Sequence, residues 1–292
     1  MSNTKPVVSV HWLAGQLNNP QVAIADCRFD LAHPEAGYQQ YQKAHIPGAY
    51  YFDLNQDLSA PAVQYGARHP LPHLSQLADK LAASGVNSSE TLVVAYDDSR
   101  LAFAARLWWL LRYLGHDNVA LLDGGWSAWQ AAGYPVTSVI PQPKQGKFVP
   151  QPREEWVADR EQVKARKDLP EVVLVDSRDR DRYRGEREPI DPIAGHIPGA
   201  VNFPWKEITD EGGYLHSIPE QQKRWAAQKQ ASEIIAYCGS GVTACVNLFS
   251  MELAGMHHAK LYAGSWSDWC SDSSAPKMGK EEPLAGSNPS DK

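Results

Sequence analysis

Tyr237-Cys238-Gly239-Ser240-Gly241-Val242-Thr243 is the segment of this 292-residue chain whose residue types are best suited to chemistry. The apolar run Ile234 to Tyr237 reads as a buried strand that ends at the cysteine. A helix-like run resumes from Ala244 to Leu253. A cysteine placed between strand and helix suits a thiolate nucleophile. Gly239 and Gly241 let successive backbone N–H groups turn inward around one anionic atom. The N-terminus of the following helix adds partial positive charge. Both effects favour thiolate over thiol. A cysteine that merely packs as a small hydrophobe needs neither two glycines nor the hydroxyls of Ser240 and Thr243 beside it. Cys238 is therefore the candidate nucleophile and Ser240 its candidate catalytic neighbour. The loop residues Gly239, Gly241, Val242 and Thr243 are candidates for holding negative charge.

The elements that must position this loop occur twice. Val22 to Ala25 leads to Asp26-Cys27-Arg28, and Val172 to Val175 leads to Asp176-Ser177-Arg178. His45-Ile46-Pro47-Gly48-Ala49 follows in the first half and His196-Ile197-Pro198-Gly199-Ala200 in the second. Leu92 to Tyr96 leads to Asp97 where Ile234 to Tyr237 leads to Cys238. Gly115 and Gly124, then Trp126 and Trp129, answer Gly255 and Gly264, then Trp266 and Trp269. Landmarks shared in order and spacing mark an internal duplication. Strands are predicted at 22–25, 92–96 and 119–122, and again at 172–175, 234–237 and 260–262. Helices are predicted at 75–84, 101–114 and 127–132, then at 219–230 and 244–254. This alternation predicts an α/β fold of two tandem domains, each a mostly parallel sheet flanked by helices. Ligands bind at the carboxyl ends of such strands, where Cys238 lies.

The expected boundaries are a first domain over 1–138, a linker over 139–154, a second domain over 155–275 and a flexible tail over 276–292. Pro141, Pro143, Pro150 and Pro152 make the linker region an extended strap rather than an element.

Composition narrows the function classes. Hydrophobic content of 43% and charged content of 21% suit a soluble globular protein. The net charge of -6 argues against a general nucleic-acid binder. No stretch has the length of a membrane span, and the N-terminus does not read as a signal peptide. Four cysteines in so long a chain suggest a reducing, cytoplasmic setting rather than a disulfide framework. No Cys-x2-Cys pair occurs and His257-His258 are adjacent, so neither a metal nor another cofactor is expected. A phosphatase loop needs an arginine six residues after its cysteine, and that position is Ala244.

The two His-Ile-Pro-Gly segments, two Asp-x-Arg strand ends, two Gly-x-Trp segments and the Cys-Gly-Ser-Gly-Val-Thr loop together resemble the tandem-domain rhodanese sulfurtransferases. The resemblance runs from about Val7 to Cys270. It implies that only the second half is catalytic, since Asp97 stands where a first-half nucleophile would be and a carboxylate cannot carry a sulfane sulfur. It implies a Cys238 persulfide, formed from a small anionic donor and emptied onto cyanide or a thiol, with a thioredoxin-like protein as a possible acceptor. The alternative is a non-catalytic interaction or sulfide-sensing module on the same fold. The resemblance places a substrate-anchoring arginine in Arg182-Tyr183-Arg184-Gly185, which selects Arg182. The Cys-Gly-Ser-Gly-Val-Thr loop favours 3-mercaptopyruvate as donor, with thiosulfate second. A second anchoring arginine, usual in the mercaptopyruvate enzymes, falls on Pro189, leaving Arg187 as a substitute. Ser240 could pass a proton to the departing enolate, relayed through His45, with Glu35 as an acidic third member. His45 has a competing reading as a turn-stabilising residue, since His196 matches it. The Asp-x-Arg pairs and the tryptophans are expected to hold the fold.

Overall fold

The structure is a computed structural model that describes residues 5–62, 66–88 and 90–279. In the first domain the order is β1 (Val7–Val8), α1 (Val10–Ala14), β2 (Val22–Asp26), α2 (Glu35–Lys43), β3 (Ala49–Tyr51), α3 (Leu74–Ala83), β4 (Leu92–Tyr96), α4 (Ala104–Tyr113), β5 (Val119–Leu122) and α5 (Gly125–Ala131). The second repeats it: β6 (Val157–Ala158), α6 (Arg160–Arg166), β7 (Val172–Asp176), α7 (Arg180–Tyr183), β8 (Val201–Asn202), α8 (Ile218–Arg224), β9 (Glu233–Tyr237), α9 (Ala244–Leu253), β10 (Ala259–Tyr262) and α10 (Ser265–Ser271). The sheets have the same strand order, β1-β5-β4-β2-β3 and β6-β10-β9-β7-β8. Within the two sheets every strand pairing is parallel. The fold is thus α/β with two parallel sheets, as expected.

Strand side chains alternate between two cores, the period that a sheet covered on both faces requires. Ala23, Ala25, Val93, Ala95, Ile234 and Ala236 point into one cluster that runs through both domains. Ile24, Val94 and Tyr96 face an outer cluster of the first domain, and Ile235 and Tyr237 face that of the second. In the shared core α4 packs on α9, with Trp108 edge-on to Phe249 at 5.0 Å between ring centroids. Polar clamps reinforce the contact. Arg100 donates to Thr209 Oγ1 and Thr209 O, both at 2.8 Å, and Leu215 N donates to Asp123 at 2.9 Å.

The repeated landmarks prove structural. Arg28 and Arg178, each 2% exposed, grip Asp26 and Asp176 and lie over Trp126 and Trp266. His45 stacks on Tyr41 and bonds its carbonyl at 2.7 Å; His196 does the same with Tyr183. His45 also pairs with Thr137, and His196 with Met278.

The last pairing corrects the expected tail at its start. Residues 276–279 are tied into the second domain, because Met278 exchanges hydrogen bonds with His196 and Trp269 donates to Pro276 O at 2.8 Å. Residues 280–292 lie outside the described residues. Residues 138–153 carry no helix or strand and lie along the first domain, as in Lys144 N to Ala83 O at 2.8 Å and Gln151 N to Leu114 O at 2.9 Å. The single helix expected over 219–230 is interrupted at Trp225, whose buried indole donates to Ser250 Oγ at 2.7 Å; a 3-10 turn follows over Ala226–Gln228. Among the described residues, no helix is long and apolar enough to cross a membrane.

Candidate active site

β9 is buried along its whole length and delivers Cys238 to the carboxyl edge of the second sheet. The loop 238–243 then turns directly into α9. Gly241 sits at φ 78°, and a Cβ there would lie 2.4 Å from Ala263 O, so both backbone angle and space require glycine. The start of α10 pins the loop from behind. Ser265 Oγ accepts from Cys238 N at 3.1 Å, while Trp266 N and Ser267 N donate to the carbonyls of Cys238 and Gly239 at 3.0 and 2.9 Å. Among the described residues, none of the amides of residues 239 to 243 has a protein acceptor. Buried amides without acceptors are costly, and such a run forms a ready site for an anion.

The matching loop of the first domain has its amides filled. There the carboxylate of Asp97 accepts from the backbone N–H groups of Ser99, Leu101, Phe103 and Ala104, at 2.9 to 3.0 Å.

Cys238, Gly239, Ser240, Val242 and Thr243 line a cavity of about 370 Å³ between the domains. The first domain contributes Phe29, Phe103 and Arg68 to its wall, and the second contributes Arg182 and Trp205. Arg182 reaches the cavity from α7 while its Nε and Nη2 bond Glu188 at 3.1 and 2.7 Å. Burial alone would raise the Glu188 carboxyl, yet bonds from Arg182 and the Asp191 amide hold it below the usual range. Cys245 is packed: burial pushes its thiol up to about 12, and Sγ lies 3.4 Å from Gly241 O.

Three expected residues are elsewhere. His45 is 0% exposed in the outer core of the first domain, with Nδ1 on Tyr41 O and Nε2 on Val139 O, so it cannot relay a proton to Ser240. Arg187 is half-exposed and turned to Asp181 at 2.6 Å, away from the cavity lining. Glu35 likewise opens helix α2 at the surface and does not line the cavity. The residue that meets Ser240 is His69, with Nδ1 at 2.7 Å from Ser240 Oγ. Burial, with the charges of Arg68 and Arg106, pushes His69 down to about 3, so the imidazole is neutral at ordinary pH. Arg106, fully buried on α4, joins the two segments that carry this pair. It donates to Gly241 O at 3.0 Å and to the carbonyls of His69 and Pro70 at 3.4 and 3.3 Å. His69 lies in a Pro-rich stretch without a repeated landmark, 171 residues from its partner. Only the absence of a counterpart in the second half set it apart.

The arrangement brings together a cavity-lining thiol, a following run of amides without protein acceptors among the described residues, a hydroxyl–imidazole pair and guanidinium groups at the wall. A rhodanese-like domain matches residues 9–132 and again 159–272. The probable 3-mercaptopyruvate sulfurtransferase of Pseudomonas aeruginosa is 46% identical over 278 residues, covering 92% of this chain and 96% of that protein. The chain belongs to the tandem-domain rhodanese sulfurtransferases. Within that family, Arabidopsis thaliana thiosulfate/3-mercaptopyruvate sulfurtransferase 2 is 33% identical, over 96% of this chain and 88% of its own length. The crystal structure of SseA from Escherichia coli aligns with a TM-score of 0.78 at 31% identity, over 90% of this chain and 99% of that one. The family is an enzyme family of sulfur transfer, which removes the non-catalytic alternative.

Proposed function

We propose that the protein moves sulfur from 3-mercaptopyruvate, through a persulfide on Cys238, to cyanide or a thiol. The Cys238 thiolate attacks the donor sulfur, an S–S bond forms and the C–S bond breaks. The electron pair of that C–S bond leaves with the carbon as the enolate of pyruvate. The proton of the donor thiol ends on the enolate carbon, so thiolate and mercaptopyruvate give persulfide anion and pyruvate. A cyanide or thiolate acceptor then takes the outer sulfur and regenerates Cys238. The free amides of residues 239–243 support this reading, because they offer donors to the anion in both thiolate and persulfide forms. Arg182, whose Nη1 has no acceptor among the described residues, supplies charged N–H donors for the donor carboxylate.

The Ser240–His69 contact is the observation that favours mercaptopyruvate over thiosulfate. Thiosulfate leaves as sulfite, a stable anion that needs no proton. An enolate needs one, and a hydroxyl bonded to a neutral imidazole can carry it from sulfur to carbon. The test compares donors in two variants, Ser240→Ala and His69→Gln. Pyruvate release should fall about 100-fold, with sulfite release from thiosulfate much less affected. Equal losses with both donors would remove the pair from proton transfer and reopen thiosulfate as the donor.

A thioredoxin-like protein is proposed as one acceptor. The exposed Leu31 and Ile190, which line the cavity from opposite domains, offer it an apolar rim. All four cysteines are free thiols, which supports a reducing, cytoplasmic setting.

A further inference from the structure

The cavity beside Cys238 holds a second guanidinium, and it comes from the non-catalytic domain. Arg68 and Arg182 converge over Gly239: a Cβ at that glycine would lie 2.8 Å from Arg68 Nη2 and 3.5 Å from both Nη atoms of Arg182. Asp191, with a side chain 2% exposed, sets the pair. It accepts from Arg68 Nε and Nη2 at 3.0 and 3.2 Å, and from Arg182 Nη2 at 3.2 Å. Arg68 is also fixed through its backbone, whose N–H donates to Ser267 Oγ at 3.2 Å. Among the described residues, Nη1 of Arg68 and Nη1 of Arg182 have no hydrogen-bond acceptor. Two guanidiniums are thus held side by side at the cavity wall, each with donors to spare, next to the nucleophile.

We propose that Arg68 is a second anchoring residue for the donor's carboxylate, acting beside Arg182 across the domain boundary; this rests on the sulfurtransferase reading. One carboxylate has two oxygens and about four acceptor sites, enough for the spare N–H groups of both arginines. Asp191 and Glu188 offset the charge of the pair. The contribution of Arg68 is therefore a set of directed N–H donors, pre-oriented before the donor arrives. Pro189 has no donor to offer at the site, and Arg187 is committed to Asp181. The site is then incomplete without the first domain, whose part is to grip the substrate as well as to wall the cavity.

The test uses the full chain with Arg68→Lys and Arg68→Gln. Lysine retains a charge for Asp191 but loses the fork; glutamine loses both. Pyruvate release at saturating cyanide should show KM for 3-mercaptopyruvate raised about ten-fold or more in Arg68→Gln and less in Arg68→Lys, with kcat within about two-fold of the parent. In a Cys238→Ser background, calorimetric binding of 3-mercaptopyruvate should weaken by a similar factor when Arg68→Gln is added. That arm needs no turnover, so it judges Arg68 even if the donor assignment fails in the parent enzyme. Unchanged KM and unchanged calorimetric affinity in the variants, with or without a lower melting temperature, would make Arg68 an interdomain brace and overturn the proposal.

Discussion

Two loops, 97–103 in the first domain and 238–243 in the second, leave the same strand and enter the same helix of a repeated fold. In the first, a buried carboxylate is wrapped by four backbone amides. In the second, the strand ends in a thiol, and five successive amides lack an acceptor among the described residues. The first loop is longer by one residue and bends through positive φ at Arg100 and Leu101, closing on its own side chain. The second opens through Gly241 onto the larger cavity, about 370 Å³ against about 100 Å³ beside Asp97. The residue at the strand end, together with the length and turn of the loop, therefore separates a loop whose amides the protein fills from one whose amides stay open. Asp97 makes its loop a strut, and Cys238 leaves its loop hungry for charge.

The sharpest way to break this comparison is to make the second loop like the first. Cys238→Asp should lose all turnover and all sulfur incorporation by mass spectrometry, because a carboxylate cannot form a persulfide. Its melting temperature should match or exceed that of Cys238→Ser, since the carboxylate gives the free amides an acceptor. A Cys238→Asp protein clearly less stable than Cys238→Ser would mean that the amides do not converge on that position.

The reverse change probes the strut. Asp97→Ala leaves four buried amides without their acceptor and should lower unfolding free energy by about 2 to 3 kcal/mol in urea titrations. KM for the donor should stay near the parent value, because Asp97 does not line the catalytic cavity. A stability change below about 0.5 kcal/mol would show that the wrapped carboxylate is not what holds the first loop.

The smallest effect concerns pH. His69 is pushed from 6.5 to about 3 in the folded protein. The unfolded chain therefore takes up a proton that the folded one refuses between those values. The stability tied to neutral His69 is complete above pH 6.5. It declines as pH falls toward 3, by at most about 1.4 kcal/mol per pH unit. His116 and His196 are also lowered by burial and add their own slopes, so the comparison is between the parent and His69→Gln. Urea midpoints at pH 7.5 and 5.0 should differ less in the variant; identical differences would place His69 in a less buried state.

What could be read from the chain was what lies contiguously in it. The Cys238 loop, the Asp-x-Arg strand ends and the paired histidines are local arrangements of neighbouring residues. The repeat made each of them visible twice. The short strands β1, β6 and β8, two residues each, are too brief for an alternating pattern to register. Helix α2 reads EAGYQQYQK and α10 reads SWSDWCS, segments whose polar residues hide the faces buried by Tyr41 and by Trp266 and Trp269. The match between His45 and His196 points to a turn-stabilising part for both, which is the reading the structure supports over a proton relay. His69 meets the Cys238 loop across 171 residues of sequence, and Arg68 is held beside that loop by Asp191, 123 residues away. No spacing along the chain announces such meetings.

The pairing of His45 with Thr137, and of His196 with Met278, has a consequence for the autonomy of the two halves. Each half fastens its own exit, so the strap between them starts from a clasp that both units share. Yet α4 and α9 hide each other's oily sides. Cleaved apart, the halves would be individually buckled shut and jointly homeless in water, a duplication turned from convenience into mutual need.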